Sequence, residues 1–393
     1  MRLTRPATVS IALASGALLA TGGAAFVALP SASAQETAAA TARTLYVSGA
    51  SDASAASCGG ATAPCKTIQE AIGHAAPGDT VRVGPGVYKG QVIVTIPLHL
   101  IGEEAVVNAT GLSTGSGKTM DAAAITVAPS ASGASIQGFS VHGAYGEGIL
   151  VAGASRVLIA GNTVSGNDLG TASTTKYLEC QPSGQVPGDC GEGIHLMSAR
   201  DSTVVNNRVT GNSGGILITD ELGPAYGNKI LHNYVADNLW DCGITLPSHS
   251  STAVSASGAV QPTKGGVYGN LVRNNTVIGN GVLGDGAGVL IAAAAPGGAS
   301  YNNRIVNNVI EGNGMAGVTI HSHAPKQDVN GNVITGNRIT ANNIAGDPDA
   351  KVFATTGILV YSAVLPVSVT ISGNHVSGNV HEQWTTSNVT VKP

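Results

Sequence analysis

The sequence predicts an all-β chain wound as a right-handed parallel β-helix, a solenoid with a short capping helix at its amino-terminal end. Three observations carry this expectation: a strand motif that returns coil after coil, asparagines five apart behind it, and a composition rich in glycine and poor in charge.

The motif is G-[IV]-x-[aliphatic]. It reads GILV at Gly148, GIHL at Gly193, GILI at Gly215, GITL at Gly243, GVLI at Gly288, GVTI at Gly317 and GILV at Gly357. Each copy alternates with period two, which places Ile216 with Ile218, or Val318 with Ile320, on one face of a strand. The closest copies, Gly193 and Gly215, stand one minimal coil apart. Wider spacings imply loops inserted at the turns, near 168–190, 248–268 and 344–356. Loops of that kind are natural walls of a functional groove.

Behind most copies runs a second block, as in GNKILHNYVADN with Asn228, Asn233 and Asn238. The spacing returns at Asn270, Asn275 and Asn280, at Asn303, Asn308 and Asn313, at Asn332, Asn337 and Asn342, and at Asn374 and Asn379. Asparagine tolerates left-handed backbone at a turn, and its amide bonds to an asparagine one coil away. These residues are expected to be ladder rungs rather than a site.

Composition agrees with many short strands and turns: 54 glycines and 11% charged residues. Arg2 and Arg5, an apolar stretch from Val9 to Leu29 and the small residues Ala32-Ser33-Ala34 have the layout of a signal peptide over 1–34. The mature chain is then expected to start near Gln35, to be secreted and to carry no membrane anchor. Removal of the two arginines takes the formal charge from −4 to about −6, which argues against a nucleic-acid partner. Of five cysteines, Cys58 with Cys65 and Cys180 with Cys190 are each close enough to clip one loop. Cys242 is left over and reads as a small buried residue.

Residues 35–78 are expected to supply an amino-terminal strand, a disulfide loop and the capping helix, forming one domain with the β-helix of 79–393. The helix is CKTIQEAIGHA, with Ile68, Ala71 and Ile72 on one side. It would cover the open edge of the first coil. PGDTVRVGPGVYKGQVIV follows and reads as two strands around a Gly/Pro turn. GLSTGSGKT, from Gly111, has the wrong spacing for a phosphate loop.

With that helix, PGDTVRVGPGVY and the repeated GNxVxxN blocks, the chain resembles the pectate-lyase-like β-helix proteins, including NosD-type and other bacterial β-helix-repeat proteins. The resemblance covers nearly all of the mature chain. It implies the fold, and a choice among polysaccharide lyases, glycoside hydrolases, uronan epimerases and non-catalytic glycan- or metal-binding proteins.

Aligning the copies on their glycine sends Ile149, Ile194, Ile216, Ile244, Val289, Val318 and Ile358 inward, and the residues between them outward. The outward columns collect His195, Thr219, Thr245, Thr319 and Tyr361, then Glu221, His249, His321 and His323, with Asp220 bordering the same face. With coils about 4.8 Å apart, Glu221 and His249 should be neighbours. Asp241 lies at the same edge. Taken singly, His195 reads as a surface residue and Tyr361 equally as a packed aromatic or a sugar platform. Together the columns form a candidate site.

The function expected first is a carbohydrate-active enzyme that cleaves a polysaccharide along this face, a uronan lyase before a glycoside hydrolase. His249, His321 or His323 would be the base, with Glu221, Asp220 and Asp241 as the other catalytic groups, and His195, Thr219, Thr245, Thr319 and Tyr361 as substrate contacts. Asp220, Glu221 and Asp241 would hold a divalent cation, Ca2+ before Zn2+, with His321 and His323 the ligands if the ion is a transition metal. Glu147 and Glu192, aligned in G-E-G-I, form a second calcium candidate or cap their turns. No organic cofactor is expected, and the chain should be a monomer. The competing class is an extracellular module that binds a glycan or a metal without turnover.

Overall fold

Repetition of the inward aliphatics becomes the pairing register of the structure, a computed structural model that describes residues 41–111, 123–167, 192–284, 286–293 and 295–393. Ile149 pairs with Ile194, Ile194 with Ile216, Ile216 with Ile244, Ile244 with Val289, Val289 with Val318, and Val318 with Ile358. All are parallel. Each side chain stacks on its counterpart one coil away, and the column is almost wholly buried.

Three long parallel sheets result, and the chain visits them in turn as a right-handed parallel β-helix. The first has ten strands, from Val92–Val94 to His381–Thr385, and carries the glycine motif. The second has twelve, from Thr44–Val47 to Val389–Lys392; the third has ten, from Gly86–Lys89 to His375–Ser377. A small sheet of Ala225–Tyr226, Val267–Tyr268 and Ser300–Tyr301 stacks Tyr226, Tyr268 and Tyr301 with ring centroids 5.2 and 5.0 Å apart.

The motif glycine has a packing cause. A Cβ on Gly215 would land on the carbonyl oxygen of Gly243 and on Val235, and one on Gly243 would meet Val277 and the Gly288 carbonyl. Only hydrogen fits where the chain enters the first sheet.

Asparagines form three ladders. In one of them Asn233 donates through its backbone N–H and through Nδ2 to Asn275 Oδ1, at 2.9 and 3.0 Å, and Asn275 does the same to Asn308. Each Nδ2 also reaches a backbone carbonyl, as Asn275 does at Ile230. The ladder residues themselves are not the left-handed ones, contrary to expectation. Positive φ falls on the residue just before the rung, such as Gly269, Asn274, Asn307 or His232. That residue turns the chain so that the rung's side chain points inward.

The amino-terminal end follows its sequence signals. Helix Ile68–His74 starts in a capping box: Thr67 Oγ1 accepts from the Glu70 N–H, and Glu70 Oε2 accepts from the Thr67 N–H. Its buried face is Ile68, Ala71 and Ile72, packed over the first coils. Cys58 and Cys65 form a disulfide. Where two strands were expected, three occur, Thr80–Val83, Gly86–Lys89 and Val92–Val94, one in each of the three long sheets. At the other end His381–Thr385 and Val389–Lys392 extend the first and second sheets as a last coil. Among the described residues no helix is long and apolar enough to cross a membrane. The expected signal peptide, and Cys180 with Cys190, lie outside the described residues.

Candidate functional site

Side chains on the outer surface of the first sheet alternate with the inward column, so strand geometry brings His195, Thr219, His321 and Tyr361 to one face. That face is largely covered. Leu150, Leu217, Thr219, Thr245, Thr319 and Leu359 are all buried, as are His195 and His321. Part of the cover is apolar: Val352, from the 344–356 insertion, packs on Ala316 and Leu359. Thr219, Thr245 and Thr319 therefore present no hydroxyl to a polymer outside, and neither does His195 its ring. Trp384 pairs with Leu359 on one of these columns.

Polar groups on the face form two clusters. In the first, Glu147 Oε1 lies 3.1 Å from His195 Nδ1, and the Thr219 hydroxyl is 2.7 Å from His195 Nε2. Thr219 also bonds to Glu221. Glu221 Oε1 then accepts from His249 Nδ1 at 2.7 Å. A continuous polar chain thus runs from buried Glu147 outward to the pair Glu221 and His249, whose side chains are 25% and 10% exposed. Burial works to raise the Glu221 pKa, but the bond and charge of His249, the charge of His195 and the Thr219 hydroxyl hold it down at about 2. Glu221 is a carboxylate at neutral pH and fixes its histidine through Nδ1.

Asp220, its neighbour in sequence, has another task. Its Oδ1 accepts from the backbone N–H groups of His249 and Ser250, at 2.7 and 3.1 Å, and its Oδ2 from Ser248 Oγ at 2.8 Å and from the Gly266 N–H. Four donors make it the anchor of the 248–268 insertion. Burial still outweighs them and raises its pKa. Asp241 faces Glu192 across Gly214 and accepts from the Cys242 N–H; burial raises its pKa. The Cys242 thiol is pushed up by burial and by the Asp241 charge, which leaves it a buried, protonated residue.

The second cluster lies where the 344–356 insertion meets strand Val318–Ser322. Asp347 Oδ2 is 2.9 Å from His321 Nε2. Asp349 Oδ2 is 3.9 Å from His321 Nδ1 and 3.7 Å from His323 Nε2. The rings of His321 and His323 stand edge to face with centroids 5.1 Å apart, and Tyr361 closes the cluster 5.6 Å from each. Burial and the neighbouring His321 charge lower the His323 pKa against the pull of Asp349 and Asp347. Asp347 is held low by its bond to His321 despite burial.

Donor atoms of His321, His323 and Asp349 all fall within 4.8 Å of one another. The only other such group among the described residues is Cys58, Cys65 and His74, whose thiols are spent in the disulfide. Asp220, Glu221 and Asp241, the expected calcium set, are not brought together: one anchors a loop, one holds His249 and one faces Glu192. Two imidazoles and a carboxylate suit a transition metal rather than Ca2+, which takes oxygen ligands. Sequence reasoning marked the 344–356 insertion as a wall but passed over Asp347 and Asp349. Their D-P-D spacing gave no sign of which histidine they would meet.

Residues 123–269 match the family model of a right handed beta helix region, and residues 222–347 match that of the periplasmic copper-binding protein NosD. No curated protein matches the chain by sequence. Among solved structures it is similar to an alginate lyase from Paenibacillus sp. str. FPU-7, with 17% identity, a TM-score of 0.54, and coverage of 88% of this chain and 99% of that one. It is also similar to the enzymatically active domain of tailspike protein 2 of Bacteriophage CBA120, with 13% identity, a TM-score of 0.52, and coverage of 83% of this chain and 44% of that one. At those identities the likeness is one of fold. With the coil register, it makes this chain a right-handed parallel β-helix.

Proposed function

We propose that this chain is a secreted, monomeric carbohydrate-active enzyme that cleaves a uronic-acid polysaccharide by β-elimination, with His249 as the base. The observation that carries this reading is the 2.7 Å contact between Glu221 and His249 at the accessible end of the buried polar chain. A carboxylate bonded to Nδ1 fixes the imidazole and strengthens it as a proton acceptor at Nε2. In the reaction the C5–H bond breaks toward the base, a C4–C5 double bond forms, and the C4–O4 bond breaks to release the leaving sugar, whose O4 takes a proton from water.

Two points favour this over hydrolysis. A glycosidase needs two carboxyl groups at the glycosidic bond. Here Asp220 is saturated by four donors and Asp241 faces Glu192, which leaves Glu221 as the carboxylate of this cluster that reaches the surface. The outward columns hold no lysine or arginine. The charge that neutralises the uronate carboxylate therefore has to come from a bound cation or a second imidazolium. An alginate lyase shares the fold over its full length, which agrees with an anionic sugar polymer as substrate.

The test is a screen of the mature protein on alginate, polygalacturonate and neutral polysaccharides, with Ca2+, with Zn2+ and with chelator, reading unsaturated products and reducing ends separately. Unsaturated products from wild type and none from His249→Ala would support the assignment. Reducing ends alone would make it a hydrolase. Turnover that survives His249→Ala and Glu221→Ala would sink the site. No turnover on any polymer would leave the non-catalytic binding module, the class to which the match over 222–347 points.

A further inference from the structure

We infer that His321, His323 and Asp349 form an open three-ligand site for a late first-row divalent metal, Cu2+ or Zn2+, and that Asp347 positions His321 for it. This site is separate from the Glu221–His249 pair and does not depend on the proposed enzymatic activity.

The argument starts from hydrogen-bond bookkeeping at His321. Its ring is buried, with Nε2 2.9 Å from the carboxylate of Asp347, itself fully buried. An ionised carboxylate only accepts, so Nε2 donates to it, which in the neutral ring puts the lone pair on Nδ1. Carboxylate, histidine and metal in line is the arrangement by which proteins orient a ligating imidazole. Nδ1 faces Asp349 Oδ2 at 3.9 Å, too long for a hydrogen bond.

The backbone builds the rest. Residues i and i+2 of an extended strand share a face, which brings His323 beside His321. The 344–356 insertion doubles back through the antiparallel bridge between Asp347 and Val352, and Asp347 Oδ1 accepts from the Ala350 N–H at 2.9 Å. That turn sets Asp347 behind His321 and Asp349 in front of it. Ligands at metal–N and metal–O lengths of about 2.0–2.2 Å stand roughly 3–4 Å from one another around an ion. The observed 3.7 and 3.9 Å separations already lie in that range.

Two nitrogens and one oxygen favour Cu2+ or Zn2+ over Ca2+ or Mg2+. Three protein ligands leave a coordination position to water or an exogenous ligand, as in open rather than structural sites. His323 and Asp349 are 36% and 59% exposed, so the ion has a way in.

The test uses untagged mature protein stripped with chelator, then titrated with ZnCl2 and with CuCl2 by calorimetry, with electron paramagnetic resonance of the copper form. One equivalent per chain is expected, with nitrogen couplings from two imidazoles. His321→Ala and His323→Ala should each weaken binding by about 100-fold or more. Asp347→Asn removes no ligand and should weaken it by about 10–100-fold. Circular dichroism and the Tm of each apo variant separate this from misfolding, and Asp349→Asn, on the surface, gives a second variant that spares the core. Absence of stoichiometric binding, or affinity unchanged in the His321→Ala/His323→Ala double variant, would overturn the site. Equal affinity in Asp347→Asn and wild type would overturn the positioning role. Polysaccharide turnover plays no part in these readouts.

Discussion

Glu221 and His249 stand on successive coils, with Oε1 and Nδ1 2.7 Å apart at the end of a polar chain that begins at buried Glu147. The contact joins two turns of the solenoid that lie 28 residues apart in sequence. If His249 is the base, Glu221→Gln keeps the shape but loses the charge that orients the ring. Turnover on the responsive polymer should fall about 100-fold or more, with binding little changed. Comparison of kcat and KM for the variant checks it.

The same pair makes a signed prediction about acid stability. The Glu221 carboxyl drops from an ordinary 4.5 to about 2 in the folded chain. A depressed acid stabilises the fold above its unfolded pKa, and that contribution is lost as pH falls through the folded value. Wild type should therefore lose this increment between about 4.5 and 2, and Glu221→Gln should lack it throughout. Acid titrations followed by circular dichroism, with both proteins in one buffer series, decide the matter.

Asp241 has the opposite sign. Burial raises its pKa beside Glu192, so the charged form is a cost at neutral pH that disappears as the group protonates. Asp241→Asn keeps an oxygen for the Cys242 N–H and gives Glu192 a donor. It should raise stability at neutral pH by about 1 kcal/mol. The gain should shrink as pH falls toward 3.8, the ordinary value for aspartate. Urea unfolding at the two pH values measures both.

Coil register was legible because it rests on local rules: period-two alternation fixes Ile216 inward, and a recurring glycine fixes where each strand starts. Adjacency of Glu221 and His249 followed from that register alone. Exposure did not, because it depends on what lies over the sheet. Thr245 and Thr319 alternate outward as read, yet both are buried. Asp347 and Asp349 reach His321 by way of an insertion whose path no periodicity describes. Glu192 and Asp241 meet for a similar reason, in the space left by Gly214.

The asparagine ladders should cost most to break in the middle. Asn275 accepts from the Asn233 backbone and side chain and donates to Ile230 and Asn308, all buried. Asn275→Ala strands several of these partners, and a loss of about 2–4 kcal/mol is expected. Asn379, at the end of a neighbouring ladder, accepts from the Asn342 N–H and is only half-buried. Asn379→Ala should cost less than half as much. Denaturant midpoints for the pair test whether the ladder holds the coils together or merely decorates them.

Two glycines in one coil separate two kinds of requirement. Gly211 has φ +66° with nothing within 4 Å of a built Cβ, so only its left-handed backbone resists substitution. Gly211→Ala should cost about 1 kcal/mol, and Gly211→Asn less, because asparagine tolerates that region. Gly215 is not left-handed, but a Cβ there strikes the Gly243 carbonyl and Val235. Neither neighbour has room to yield, since the carbonyl accepts the Ile216 N–H at 2.9 Å and Val235 is fully buried. Gly215→Ala should therefore cost at least about 2 kcal/mol, and Gly215→Asn more rather than less. The reversed ranking of alanine and asparagine at the two sites, read from denaturant midpoints, distinguishes close packing from backbone conformation as the reason the strand motif begins with glycine.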